Sequence, residues 1–210
     1  MANRSRKKRP GTSAIENSLS ELPICPLARS LGLTDRWLEQ FSIRLPDGSL
    51  FIAPRAKWCV LIKAVVEQFC ARFASGNVVL CIADTENKFL HLDANYLEKL
   101  RVKIPSPGKM PDVLVHDPKR NWLLLIEAVA TAGPIDGKRR KELKDLFMGC
   151  SAGLVFVTAF DSRETMRGFL SQISWESEVW VADDPDHLIH FDGERFLGPY
   201  PDTLPASGTL

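Results

Sequence analysis

The sequence lacks most of the features that would assign it at a glance. It has no CxxC pair, and its five cysteines, Cys25, Cys59, Cys70, Cys81 and Cys150, are odd in number and scattered. That excludes a zinc knuckle and a full disulfide framework, and it fits a reducing, cytoplasmic compartment. Charge of one sign is also missing, with 27 basic against 26 acidic residues, so contact with a polyanion would run through local basic patches. No apolar run is long enough to span a bilayer, the uncharged stretch Ser151 to Phe160 included. The basic start leads into Pro10-Gly11-Thr12-Ser13 instead of the apolar core of a signal peptide, so no membrane role is expected. There is no internal repeat.

What is present is an ordinary globular composition: 210 residues, 45% hydrophobic and 25% charged, enough for one substantial domain with an appendage. Five bases (Arg4, Arg6, Lys7, Lys8, Arg9) and no acid fall in the first ten residues, so a net +1 less that +5 leaves −4 for residues 11–210. Residues 1–20 read as a basic disordered arm, either solvated or gripping phosphate. Residues 21–56 read as a short N-terminal helical segment: one or two helices from Ile24 to Phe41, capped at Thr34-Asp35, then a turn from Leu45 to Phe51 between extended pieces. The tail, 201–210, is flexible by composition.

Between them the periodicities are clear. Trp58, Leu61, Ile62, Val65, Val66, Phe69, Cys70 and Phe73 form one helical face that stops at Ser75-Gly76-Asn77. Val78 to Ala83 and Phe89 to Leu92 are strand-like, and Asn95 to Leu100 is a brief helix or turn. Pro111 to His116 and Trp122 to Val129 read as a strand-turn-strand unit around Asp117-Pro118-Lys119-Arg120-Asn121. A helix from Lys138 carries Leu143, Leu146, Phe147 and Cys150 on one stripe, Gly153 to Phe160 is a central strand, and Ser162 to Ile173 is helical again. Val179 to Ala182 and Leu188 to Phe191 are closing strands. The order predicts an α/β sandwich, a mixed sheet with helices packed on it.

Two acids lie inside the strand-turn-strand unit, Asp112 and Glu127, flanked by Met110, Val113, Ile126 and Val129. Buried carboxylates are costly unless paired, hydrogen-bonded or bound to a cation. A loop centred between Lys119 and Arg120 pairs residues whose numbers sum to 239, and 112 and 127 are such a pair. They would be direct cross-strand neighbours with Cβ atoms about 5 Å apart, and a slip of one residue would throw them to opposite faces. Two anions so placed repel, unless a hard divalent cation such as Mg²⁺ sits between them. For either acid alone, a strand-end cap paired with Arg or Lys explains as much. Together they supply the charge clamp and leaving-group assistance of phosphodiester hydrolysis, with a nearby lysine to orient water.

Pro111-Asp112 followed by Glu127 resembles the PD-(D/E)xK nuclease pattern. The surrounding text is more specific: Gly108-Lys109-Met110-Pro111-Asp112, Leu125 to Val129, Gly133-Pro134 with Lys138-Arg139, Gly153 to Phe160, Trp175 to Trp180, His187 to Phe191 and Gly198-Pro199-Tyr200. From about Lys57 to Tyr200 the chain resembles the C-terminal catalytic domain of the BsuBI/PstI type II restriction endonucleases. The resemblance implies a PD-(D/E)xK restriction-endonuclease-like mixed sheet flanked by helices, with residues 57–200 as the nuclease domain. It implies a Mg²⁺-dependent endonuclease that makes double-strand breaks in DNA at a palindrome, CTGCAG by family analogy. A homodimer and a partner methyltransferase go with it. Asp112 and Glu127 become metal ligands.

Two departures accompany the resemblance. Where the pattern expects Lys two positions after Glu127 stands Val129, and Lys138 is the expected substitute, positioning water or the scissile phosphate. Only 56 residues precede the matching region, where the family carries a larger DNA-binding part, so 21–56 reads as a reduced version of it. A DNA-binding remnant that grips without cutting is the alternative, and a phosphoesterase acting on small substrates is a third.

Other residues carry weaker signals. The run Lys138 to Lys144 has five bases and one acid, which makes Arg139, Arg140, Lys141 and Lys144 candidate DNA contacts. On a helical wheel the apolar stripe turns Arg139 inward more than Lys138. Glu67 reads as exposed surface charge, Asp84 as a turn start or a metal contact. His116 shares strand parity with Asp112 and would border the site. His187 and His190 read as structural, and Trp175 and Trp180 as core or dimer packing.

Overall fold

The computed structural model describes residues 40–54, 57–74, 76–83, 89–129 and 133–193. The basic arm, the Thr34-Asp35 cap, Cys25, Asp84, Gly198-Pro199-Tyr200 and the tail lie outside the described residues. The helical reading of 24–41 reaches them only at its last two positions, which are extended: β1, Gln40–Arg44, pairs antiparallel with β2, Leu50–Pro54. The turn expected at Pro46-Asp47-Gly48 closes this hairpin, with the Asp47 carboxylate accepting from the Ser49 N–H at 2.8 Å.

The long apolar face becomes α1, Lys57–Ala64, continuing through a π-helical turn, Val65–Phe69, into α2, Cys70–Phe73. There follow β3, Val78–Ala83, β4, Phe89–Leu92, and α3, Ala94–Lys99, the last capped by the Asp93 side chain on the Tyr96 N–H. Next come β5, Val113–Asp117, β6, Trp122–Val129, α4, Gly137–Leu146, and β7, Gly153–Phe160. The described chain closes with α5, Arg163–Arg167, β8, Ser177–Val181, and β9, Leu188–Phe191. Of the helix read over 162–173 only α5 forms. It gives way at Gly168, although Met166, Phe169 and Ile173 still turn into the core.

One seven-stranded sheet runs in the order β4-β3-β5-β6-β7-β8-β9. The pairs from β4 to β6 are antiparallel, β6-β7-β8 are parallel, and β9 returns antiparallel. This is the mixed sheet flanked by helices that the sequence predicts. Alternation sorts the side chains into two layers. Val113, Val115, Leu124 and Ile126 join Leu61, Ile62 and Phe69 of the first helical stretch on one face. Leu114, Leu123 and Leu125 join Ile135, Leu143 and Phe147 on the other. The centre of the sheet is therefore apolar on both sides, and an acid there needs a specific partner.

The β5–β6 register is Val113 with Ile126 through Asp117 with Trp122, each pair summing to 239 as expected. The turn that sets it is built by Asp117, whose carboxylate accepts the backbone N–H of Lys119 at 3.0 Å and of Arg120 at 3.3 Å, and the Arg120 Nε at 2.6 Å. Asn121 closes it in the left-handed region, φ 52°.

Candidate active site

Extending that register one step brings Asp112 opposite Glu127, on the face that α4 covers. Asp112 Oδ2 accepts the N–H of Ala128 at 2.8 Å, while the Asp112 backbone carbonyl accepts from Ala83. The two carboxyls are close enough to perturb one another's ionisation. Only 7% of Glu127 is exposed. Burial first, and then the neighbouring Asp112 charge, push the Glu127 carboxyl up to about 8 against the pull of Arg139. Asp112 is also raised, by burial, with the Ala128 N–H working the other way.

The cation on this pair comes from α4. Arg139 Nε donates to Glu127 Oε1 at 2.9 Å, Nη2 stands 2.8 Å from the same oxygen, and Nη2 donates to the Met110 carbonyl at 3.0 Å. The local sequence explains its placement. Asp136 caps the helix by accepting the Arg139 N–H at 2.7 Å, which fixes the start at Gly137 and the phase of every later residue. Leu143, one turn on, is fully buried. Upstream, the Ile135 N–H donates to Thr158 Oγ1 at 3.1 Å, and Thr158 lies level with Glu127 across the β6–β7 ladder. The entry to α4 is thus tied to the strand beside the acid.

Lys138 is not brought to the pair. Its side chain is 85% exposed and its ammonium stands 3.8 Å from Glu142. Lys141 and Lys144 are exposed on the same helix. Arg140 instead turns inward, 2.6 Å from the Glu176 carboxylate, with its guanidinium 5.0 Å from the Phe156 ring centroid. Of the four candidate DNA contacts, two therefore face water and two are engaged within the protein.

The remaining expectations sort as follows. His116 is buried toward the far end of β5, its Nδ1 3.1 Å from the Tyr96 hydroxyl, and does not border the acids. Glu67 is half-buried rather than a free surface charge: it accepts the Arg44 N–H at 2.8 Å and pairs with Lys63 at 2.5 Å, pinning the β1–β2 hairpin to the π-helical turn. Trp180 is in the core, donating to the Pro185 carbonyl at 3.1 Å, whereas Trp175 is exposed. His187 is exposed beside Asp184. His190 faces Glu178 across β8 and β9, and these two with Asp192 bring possible ligand atoms within 4.8 Å of one another, a grouping that its reading as structural did not include. The sequence signal for that group was only the β8–β9 register. An open apolar groove of about 340 Å³ lies between α1 and the strand ends, lined by Val60, Leu61, Ala64, Val129 and others, and the acid pair does not line it.

The acid pair suits a hard divalent cation. Its donors are carboxylate oxygens largely shielded from water, and each acid makes ionisation of the other costlier, a penalty that a divalent cation between them would relieve.

Comparison with known proteins bears on this geometry. Residues 41–194 match the BsuBI/PstI restriction endonuclease domain. The chain is similar to the type II restriction enzyme BsuBI of Bacillus subtilis, 47% identical over 167 residues, which cover 79% of this chain and 52% of that protein. It is similar to the type II restriction enzyme AplI of Arthrospira platensis, 33% identical over 155 residues, covering 71% and 48%. Among solved structures it is similar to the SdaI restriction endonuclease, with a TM-score of 0.72 and 44% identity over 90% of this chain and 58% of that one. The chain spans about half the length of the curated relatives it matches. Among the described residues no helix is long and apolar enough to cross a membrane.

Proposed function

We propose, from the premise that this chain belongs to the BsuBI/PstI restriction endonuclease family, that it is a Mg²⁺-dependent deoxyribonuclease making double-strand breaks at a palindromic site. By family analogy that site is CTGCAG. A homodimer would place one acid pair on each strand of the palindrome, and a partner methyltransferase would protect the host copy. The cytoplasm is the proposed compartment, supported by free thiols at Cys70, Cys81 and Cys150.

The observation that carries this reading is the meeting of Asp112 and Glu127 where β5 and β6 run together, both drawn from water, with the Arg139 guanidinium on Glu127. In the reaction a water oxygen bonds to phosphorus, one P–O ester bond breaks, and the leaving oxygen takes up a proton. A bound Mg²⁺ neutralises charge on the phosphate and makes water a better nucleophile. Asp112, held by the Ala128 N–H, and Glu127, oriented by Arg139, would hold the ion. Lys138, Lys141 and Lys144 on the outer side of α4 follow the DNA backbone, and Lys138 is the lysine proposed to reach the phosphate or its water by leaving Glu142.

Incubating the purified protein with Mg²⁺ and plasmid should give discrete fragments whose ends report target and stagger together. Asp112→Ala and Glu127→Ala should each abolish them while unfolding stays cooperative. Wild-type-like cutting by either variant would overturn the assignment. A salt-sensitive mobility shift without fragments would leave a DNA binder only.

A further inference from the structure

We infer that Arg139 is the phosphate-binding cation of this site, the group that takes the part a lysine two residues beyond Glu127 would play; the inference rests on the nuclease reading above. Val129, which occupies that position, is 3% exposed and packed with Phe160, Ile173 and Val179, so it offers no charge. Arg139 reaches the acids from the helix instead. Its Nε and Nη2 edge holds Glu127 and the Met110 carbonyl, two residues before Asp112. One side chain therefore contacts both acid-bearing segments.

The remaining nitrogen, Nη1, makes only a long ion pair. Nη1 lies 3.8 Å from the Glu142 carboxylate, beyond hydrogen-bonding distance, and the side chain is 23% exposed. A guanidinium is a rigid, planar fork, so holding Nε and Nη2 on Glu127 and the Met110 carbonyl aims the two Nη1 hydrogens, which can meet a phosphate oxygen.

Charge counting gives the reason for the arrangement. Two carboxylates and a divalent cation sum to zero and exert no net attraction on a phosphodiester. Adding Arg139 makes the loaded site +1, which matches the single negative charge of the linkage to be cut. Before loading, the same guanidinium offsets one of the two acids, so it also competes with the incoming ion for Glu127.

These two consequences run in opposite directions in one variant, which makes them testable. For Arg139→Met, Ca²⁺ binding measured by calorimetry should be as tight as in the wild type or tighter, up to about tenfold. Affinity for a cognate DNA duplex in Ca²⁺ should fall at least about tenfold, and Mg²⁺-dependent cleavage at least about a hundredfold. Arg139→Lys, which keeps the charge and loses the fork, should retain the wild-type Ca²⁺ affinity and recover part of the cleavage, and it serves as the folded comparison if the methionine variant melts. The same change at Lys138 should cost less than the change at Arg139. Weakened Ca²⁺ binding in folded Arg139→Met would mean that the side chain merely holds Glu127 in place, and that result overturns the inference. So would cleavage within about threefold of wild type. A wild type that never cuts sinks the nuclease reading instead, a failure the calorimetry distinguishes from this one.

Discussion

Glu127→Gln should stabilise the metal-free protein, and only at alkaline pH. Burial and the Asp112 charge raise the Glu127 carboxyl from an ordinary 4.5 to about 8. The folded chain therefore binds a proton that the unfolded chain has already released between those values, and stability falls as pH rises across the window. The benefit is complete below about 4.5 and gone once pH passes the folded value. A displacement of that size corresponds to roughly 5 kcal/mol, and sharing of the charge with Asp112 brings a realistic expectation to about 2–4 kcal/mol. Glutamine mimics the protonated acid and keeps an oxygen for Arg139. In urea unfolding with EDTA, the variant should match wild type within about 1 kcal/mol at pH 5 and exceed it by about 2–4 kcal/mol at pH 9. Adding Mg²⁺ at 100 times its dissociation constant should restore about 2.7 kcal/mol to the wild type at pH 9 and less to the variant. A variant equally destabilised at both pH values would refute the reasoning, because Glu127 would then be a net stabilising partner of Arg139 rather than half of a strained acid pair.

Two further outcomes test the frame that holds the site. Asp117→Ala removes a shielded acceptor for two backbone N–H groups and the Arg120 guanidinium from the β5–β6 turn, and should cost about 2–3 kcal/mol at neutral pH by chemical denaturation. Burial acts to raise Asp117, but Arg120 and the two backbone donors outweigh it and hold the carboxyl below the usual range; its contribution is present above about pH 4 and lost as pH falls through the folded value, so the gap between variant and wild type should close on acidification. Thr158→Val leaves shape intact and strips the Ile135 N–H of its acceptor, which should lower the melting free energy by about 1–3 kcal/mol and slow cleavage through the entry to α4, whereas unchanged cleavage would show that this tie does not position Arg139.

The register of β5 and β6 was legible in the sequence because a short polar loop between two apolar runs admits few pairings, and only one sets the two acids directly opposite each other. The second side of the site was harder to read. The helical wheel turned Arg139 inward, but nothing in one sequence says that α4 lies across Glu127; that follows from Asp136 capping the helix and Thr158 anchoring Ile135, contacts spanning up to 23 residues. Glu67 misled for a related reason. It does lie off the main apolar stripe, yet the β1–β2 hairpin covers that side and makes Glu67 its fastening. His190 acquires Glu178 only through the antiparallel return of β9. Local periodicity reports which face is apolar; it does not report what folds over the polar one.

Supplying the site's cation from a helix rather than from the strand also follows from packing. Position 129 shares its strand parity with Glu127 but sits where β6 meets Phe160 of β7 and the apolar cluster that α5 and Ile173 cover. A lysine there would have to bring an ammonium into a packed apolar environment or displace the cluster, at a cost of several kcal/mol. A guanidinium entering from α4 avoids that conflict, since its stem runs along the helix and its charged end meets the acids from the side, partly open to water. The strand can then be apolar at 129, and the helix start carries the charge. On this view Val129→Lys in an Arg139→Met background would not restore cleavage, because the new ammonium would enter the Phe160 cluster instead of the acid pair; recovery of activity by that double variant would show that the strand position remains competent and that packing did not drive the exchange.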